Sequence, residues 1–176
     1  MAARILNCIF LLALWVVPCS SQVQDVLGWQ DSRWEMSTAE IQAIFKSNVT
    51  KLPKREDFGT VYVDYAILNY DIEGGKYTVF FQMDKKTEKL SQVLIRSDNK
   101  LPSELYFNKL ESLLISKYGS PGYKNDDRKP VISLDRQWTF STTTIELSYR
   151  WDGLVEFGSQ TTIRYFPTKK RDTNKI

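Results

Sequence analysis

Apolar side chains alternate with polar or small ones along residues 61–67, where Val61, Val63, Tyr65 and Ile67 share one parity. From Leu68 the parity changes, and Leu68, Tyr70 and Ile72 alternate instead. Period-two alternation predicts a strand with one buried face. A parity change sends side chains to the opposite face, so a bulge or bend is expected at 66–69. Glu73-Gly74-Gly75-Lys76 predicts a tight turn, because paired glycines supply the positive φ a short hairpin needs. Tyr77, Val79, Phe81 and Met83 then alternate with Lys76, Thr78, Phe80 and Gln82. A second turn is expected at 84–87, and a further strand at about 89–96.

Two stretches carry a helical period. In Ser37-Thr38-Ala39-Glu40 a hydroxyl sits at the N-cap with a glutamate three residues on, the spacing of a capping box. Met36 and Ile41 fit a hydrophobic staple across it, and Ile41, Ile44 and Phe45 follow at helical spacing, with the helix expected to fray before Pro53. The stronger helix opens at Pro102-Ser103-Glu104 and closes at Gly119 with Pro121. Tyr106, Leu110, Leu113, Leu114 and Tyr118 are its expected apolar side.

Residues 120–133 read as a long loop, and Trp138 and Phe140 as a strand. After a turn at 141–143, Ile145, Leu147, Tyr149 and Trp151 alternate; 153–158 connect; 161–166 form a last strand with Ile163 and Tyr165 inward. The order is helix, three strands, helix, three strands. It predicts a two-layer α+β fold, an antiparallel sheet with two helices on one face, built from two α-β-β-β repeats at about 27–97 and 101–167. The other face of the sheet is expected to stay partly open to water.

The first residues change the picture of compartment. Arg4 precedes an apolar run, "CIFLLALWVV" at 8–17, and Pro18-Cys19-Ser20-Ser21 ends it with small residues. That is the pattern of a secretory signal peptide, expected at 1–21, and the run is shorter than the ~20 residues of a membrane span. Val16-Val17-Pro18-Cys19 also partly resembles the lipobox of bacterial lipoproteins, departing from it at Pro18. The expected location is therefore periplasmic or secreted, with membrane attachment only through a lipidated Cys19. Both cysteines lie in this leader, so a cleaved product has no disulfide, which a bacterial periplasmic domain tolerates if its core suffices. Residues 22–167 are expected to form a single domain.

The chain holds 24 Lys and Arg against 21 Asp and Glu, and much of the surplus sits in a polar tail at 168–176, "TKKRDTNKI", expected to be disordered. The body is near neutral and carries no basic stripe, which excludes nucleic acid as a partner. There is no histidine and no cysteine beyond Cys19, which removes histidine-based proteolysis, His-ligated zinc and thiol redox chemistry. Neither a phosphate loop nor a dinucleotide fingerprint occurs. Asp64, Asp71, Glu73 and Glu146 are the carboxylates a glycosidase-like hydrolase would draw on. Asp126-Asp127 lacks the alternating ligand spacing of a calcium loop, and Asn48-Val49-Thr50 is a sequon that matters only in a eukaryotic secretory pathway. No catalytic residue, cofactor or metal is expected.

A pattern of cap, core and helix-stop residues carries a resemblance. "W-x-M-S-x-x-E-I" at 34–41, "L-x-x-L-L-x-x-K-Y-G-x-P" at 110–121, "W-x-F" at 138–140 and "T-I-x-L" at 144–147 resemble uncharacterised families of exported bacterial proteins. The helix-plus-meander order is similar to the β-lactamase-inhibitor-protein-like architecture, over most of 27–167. The resemblance implies protein binding and no enzyme activity.

Trp29 and Trp34, ahead of the first helix, fit a plug in the helix–sheet seam better than a binding lip. If Tyr77, Val79, Phe81 and Met83 face the helices, Phe80 faces away. By the same parity Tyr62 stands out beside Thr60 and Asp64, and Phe166 beside Arg164. Tyr62, Phe80, Arg150, Arg164 and Phe166 are the expected partner-binding face, since aromatics and arginine on a polar surface suit protein recognition. Its partner would be an envelope protein or a surface polymer. A carboxylate-based hydrolase and a purely structural envelope protein are the alternatives.

Overall fold

The computed structural model describes residues 25–99, 103–153 and 158–169. The expected signal peptide at 1–21 and the tail from 170 onward lie outside them. Helix α1 (Thr38–Phe45) leads through a 3-10 turn (Lys46–Asn48) into strands β1 (Thr50–Phe58), β2 (Val61–Ile72), β3 (Gly75–Asp84) and β4 (Leu90–Ser97). Helix α2 (Leu105–Tyr118) leads into β5 (Tyr123–Asp127), β6 (Ile132–Thr139), β7 (Thr143–Trp151) and β8 (Ser159–Pro167). These strands make one antiparallel sheet in the order β1-β2-β3-β4-β8-β7-β6-β5. The fold is α+β. Four strands follow each helix instead of the expected three, and 120–133 is a loop only in part, because β5 lies inside it.

The capping box forms as expected. Ser37 Oγ accepts from the Glu40 N–H at 3.4 Å, and the Glu40 carboxylate accepts from the Ser37 N–H at 2.7 Å, satisfying two end donors reciprocally. α1 buries Ile41 and Phe45. Its approach to the sheet is set by the segment before it, where Glu35 N–H donates to Leu90 C=O at 3.1 Å and Leu90 N–H to Met36 C=O at 2.8 Å. Trp29 is the plug. Its ring stacks on Phe45 with centroids 5.9 Å apart and meets Tyr70 and Phe81 edge-on at 5.7 and 6.0 Å. Trp34 reaches across the molecule to donate from Nε1 to Thr143 Oγ1 at 2.9 Å.

α2 lies on the same sheet face, but its buried stripe is Phe107, Leu110 and Leu114, while Tyr106 is half-buried and Leu113 is 37% exposed. The expected stripe was turned about one position because Phe107 takes the central place, its ring 6.4 Å from Tyr149. Arg136 fastens the helix to the sheet. Its Nε donates to Glu111 at 2.6 Å and its Nη2 to Asp126 at 2.8 Å, while Nη1 donates to the carbonyls of Asn125 and Asp135. The guanidinium carbon lies 5.2 Å from the Phe107 ring centroid. Burial opposes the Arg136 charge, yet the bonds to Glu111 and Asp126 outweigh it and hold its pKa above the ordinary value.

One turn and one strand depart from expectation in instructive ways. In the β2–β3 hairpin, positive φ falls on Glu73 (51°) and Gly74 (78°). Gly75 already belongs to β3 and serves packing, since a Cβ there would sit 2.9 Å from the Tyr77 ring and 3.1 Å from that of Tyr106. The parity change in β2 is double. Pairing with β3 slips between Tyr62 and Ala66 and again between Ile67 and Tyr70, where Asn69 takes φ 54°. The second slip falls where a bulge was expected; the first was hidden from the alternation.

The α2 stripe yields a direct test. Leu110→Ala should cost about 2–5 kcal/mol in a urea unfolding experiment, as buried leucine deletions do. Leu113→Ala should cost under about 1 kcal/mol. Equal losses at the two positions would contradict the observed rotation of α2.

Candidate functional site

The helices cover one face of the sheet, and the register decides what stands on the other. Cross-strand partners share a face. One row across this second face runs Thr78, Arg96, Thr162, Ser148, Asp135, Asn125 from β3 to β5. The next runs Phe80, Leu94, Arg164, Glu146, Gln137, Tyr123. The β1 side is apolar, because Val63, Ala66, Phe80 and Leu94 form a second small core with Leu52 and Phe58 packed against it. The β5 side is polar.

Asp135 is the node of the polar half. It accepts from Ser148 Oγ at 2.9 Å and Asn125 Nδ2 at 3.3 Å, and pairs with Arg150 Nη1 at 2.8 Å. Burial raises the pKa of this carboxyl, but the bonds from Arg150, Ser148 and Asn125 more than offset it, so the net shift is downward. Beside it Arg164 Nη1 approaches Glu146 at 3.5 Å. The charges on this half therefore come in pairs whose positions the sheet register fixes.

The structure puts three of the residues expected at a binding face on the helix-free side, spread along β7 and β8 and not in one cluster. Arg150 and Arg164 are exposed on the helix-free side, and Phe166, half-buried, stands opposite Thr144 in the next row. Phe80 points away from the helices as expected, but it is 2% exposed, covered by Phe58 edge-on at 5.9 Å and by the Arg96 guanidinium at 4.5 Å. Tyr62 lies on the other face. It is 5% exposed within the helix-side core, opposite Met83, with the Arg55 guanidinium 3.8 Å from its ring centroid. The slip between Tyr62 and Ala66 is the reason, since it inverts the parity from which Tyr62 was placed. Asp135, Ser148 and Arg96 were not singled out in the sequence. The signal for Asp135 is the alternation of Ser133, Asp135 and Gln137 with Leu134, Arg136 and Trp138, which an arginine on the inner face disguises.

Three of the four candidate carboxylates of a hydrolase are ion-paired, and Glu73 lies at the β2–β3 turn, where its backbone carbonyl accepts from Lys109 Nζ at 3.2 Å. Asp64 takes both Arg55 donors at 2.8 and 2.7 Å, Asp71 pairs with Lys76 at 2.8 Å, and Glu146 faces Arg164. Asp71 is held below the usual carboxylate range by its bonds to Lys76 and Gly74. Among the described residues no group of three or more acids or other ligating side chains is placed to hold a metal ion. Asp126 of the acidic pair is bound by Arg136.

The Asp135 node has a pH signature. Asp135→Asn should cost about 2 kcal/mol at neutral pH, the scale of a hydrogen bond to a charged group. A carboxyl with a lowered folded pKa contributes stability that is present above its unfolded value, about 3.9, and lost as pH falls through the folded value. The urea midpoints of wild type and Asp135→Asn should therefore converge as pH drops below about 4; a gap that stays constant in acid refutes the assignment. Compared with known proteins, the chain matches no family model, no curated protein and no solved structure.

Proposed function

We propose that this chain is a non-enzymatic exported envelope protein that binds another protein through the helix-free face of its sheet. The observation that carries the reading is the line of exposed Arg150 and Arg164 and half-buried Phe166 along the helix-free side of β7 and β8, with Arg150 on the Asp135 node. Arginine and aromatic side chains held in fixed positions on an otherwise polar surface are the composition of interface anchors. The engagement of Asp64, Asp71 and Glu146 by basic side chains favours binding over carboxylate catalysis. Tyr62 has no part in this face, and Phe80 acts in it as a platform instead of a contact.

Export rests on the leader pattern at 1–21, with the mature protein periplasmic or secreted. Among the described residues no helix is long and apolar enough to cross a membrane. We also read the chain as two copies of one helix-plus-meander unit, a reading supported by the mirrored strand order about the β4–β8 pair.

Two measurements test the proposal. A photo-crosslinking residue at Gln160 or Thr139, exposed next to Arg150 and Phe166, should give an adduct of one defined mass in the native envelope. The same residue at Lys117 on α2 should give none, and Arg150→Ala/Phe166→Ala should cut the Gln160 yield about tenfold or more. Adducts from Lys117 alone would move the binding surface to the helices. For export, the intact mass from the native host should begin after Ser21; a mass beginning at Met1 defeats export, and one beginning at lipidated Cys19 places the protein on a membrane.

A further inference from the structure

Among the described residues the arginines are almost all hydrogen-bonded to a carboxylate or a backbone carbonyl. Arg33 donates to the carbonyls of Gln30 and Ser32, Arg55 to Asp64, Arg128 to Glu104, Arg136 to Glu111 and Asp126, Arg150 to Asp135 and Arg164 to Glu146. Arg96 differs. Among the described residues its guanidinium has no hydrogen-bond acceptor and no carboxylate partner, and its one contact of this kind is with the Phe80 ring, 4.5 Å from centroid to guanidinium carbon. The nearest acid in sequence, Asp98 just past the end of β4, accepts from Thr78 Oγ1 at 2.8 Å and makes no ion pair with Arg96.

A guanidinium held over an aromatic ring is fixed by the ring and still carries its donors in a fork that matches a carboxylate. Phe80 is itself immobilised, 2% exposed and braced by Phe58. Arg96 is thus ordered by a neighbour that satisfies none of its hydrogen bonds. It lies at the centre of the helix-free face, between Thr78 and Thr162 in register.

We propose that Arg96, seated on Phe80, is the anchor for a single carboxylate side chain of the partner protein. This rests on the reading of the helix-free face as the binding surface and names what that surface recognises. One carboxylate is favoured over a polyanion because the neighbouring arginines on this face, Arg150 and Arg164, already hold Asp135 and Glu146. A chain of anionic groups would find one open cation and two acids in its way. An Asp or Glu side chain finds one matched fork.

The test uses the whole ¹⁵N-labelled protein and the arginine Nε–H resonances, with that of Arg96 identified by its loss in Arg96→Lys. The probes are a terminally blocked Gly-Glu-Gly peptide, its Gly-Gln-Gly counterpart and inorganic polyphosphate, all at constant ionic strength. The Glu peptide should move the Arg96 resonance saturably and leave those of Arg150 and Arg164 in place, and the Gln peptide should move none. Phe80→Leu, which keeps an apolar core residue while removing the ring, should weaken this response severalfold. Equal shifts at all three arginines, no saturable shift at Arg96, or a stronger response to polyphosphate centred on Arg150 and Arg164 would overturn the proposal. Arg96→Gln removes a half-buried surface charge and should fold, and in the Gln160 crosslinking assay it should lower the yield about tenfold. An unchanged yield there discards the Arg96 anchor while leaving the binding face intact. Loss of the Gln160 adduct in wild type discards the face itself.

Discussion

The pairing of β4 with β8 is the constraint from which the rest of the molecule follows. Four residue pairs, Val93 with Tyr165, Leu94 with Arg164, Ile95 with Ile163 and Arg96 with Thr162, join two meanders into one sheet. Strand geometry then sorts their side chains. Val93, Ile95, Ile163 and Tyr165 go to the helix side and into one core, where Tyr165 is buried against Tyr118 and its hydroxyl pKa is driven upward by desolvation. Leu94, Arg96, Thr162 and Arg164 go to the other. Neither the shared core under both helices nor the polar row across the open face exists in one meander alone.

The two faces handle charge in opposite ways. On the helix side Arg136 is nearly buried, and its guanidinium meets two acids, two backbone carbonyls and the Phe107 ring. A buried charge that is completely paired specifies how α2 sits on the sheet, and removing either acid would leave the other partners short. On the open side the arginines are half-exposed while Asp135 beneath Arg150 is buried, so these pairs fix where the charges stand on the sheet.

The sequence was most legible where one face of an element is buried and least legible at its margins. β3 and β7, apolar at every second position on the helix side, were placed nearly to the residue. The α1 cap was readable because Ser37 and Glu40 are a local pair. β1 and β5 were missed, and both are outermost in the sheet, with mostly exposed residues and no apolar alternation to betray a strand. Tyr62 was misplaced because a slip in pairing leaves no mark in the letters when residues on both sides of it are apolar. The open face was legible only in part, since Arg150 and Arg164 follow from parity, while the neighbours of Asp135 and Arg96 depend on hairpin register and, for Thr162 beside Arg96, on a strand far away in sequence.

Those two outer strands also decide how the molecule can meet others. β1 carries Pro53, which has no N–H to offer, within a stretch where pairing to β2 slips between Lys51 and Glu56. β5 is five residues long and holds Lys124, Asp126 and Asp127. Proline, irregular pairing, shortness and charge are the features that make a sheet edge a poor template for an added strand. The sheet is thereby closed to lengthwise growth at both ends, which protects it from edge-to-edge aggregation. It also disfavours docking by strand addition, which leaves the side chains of the broad sheet and helix surfaces as the places where contact is easiest.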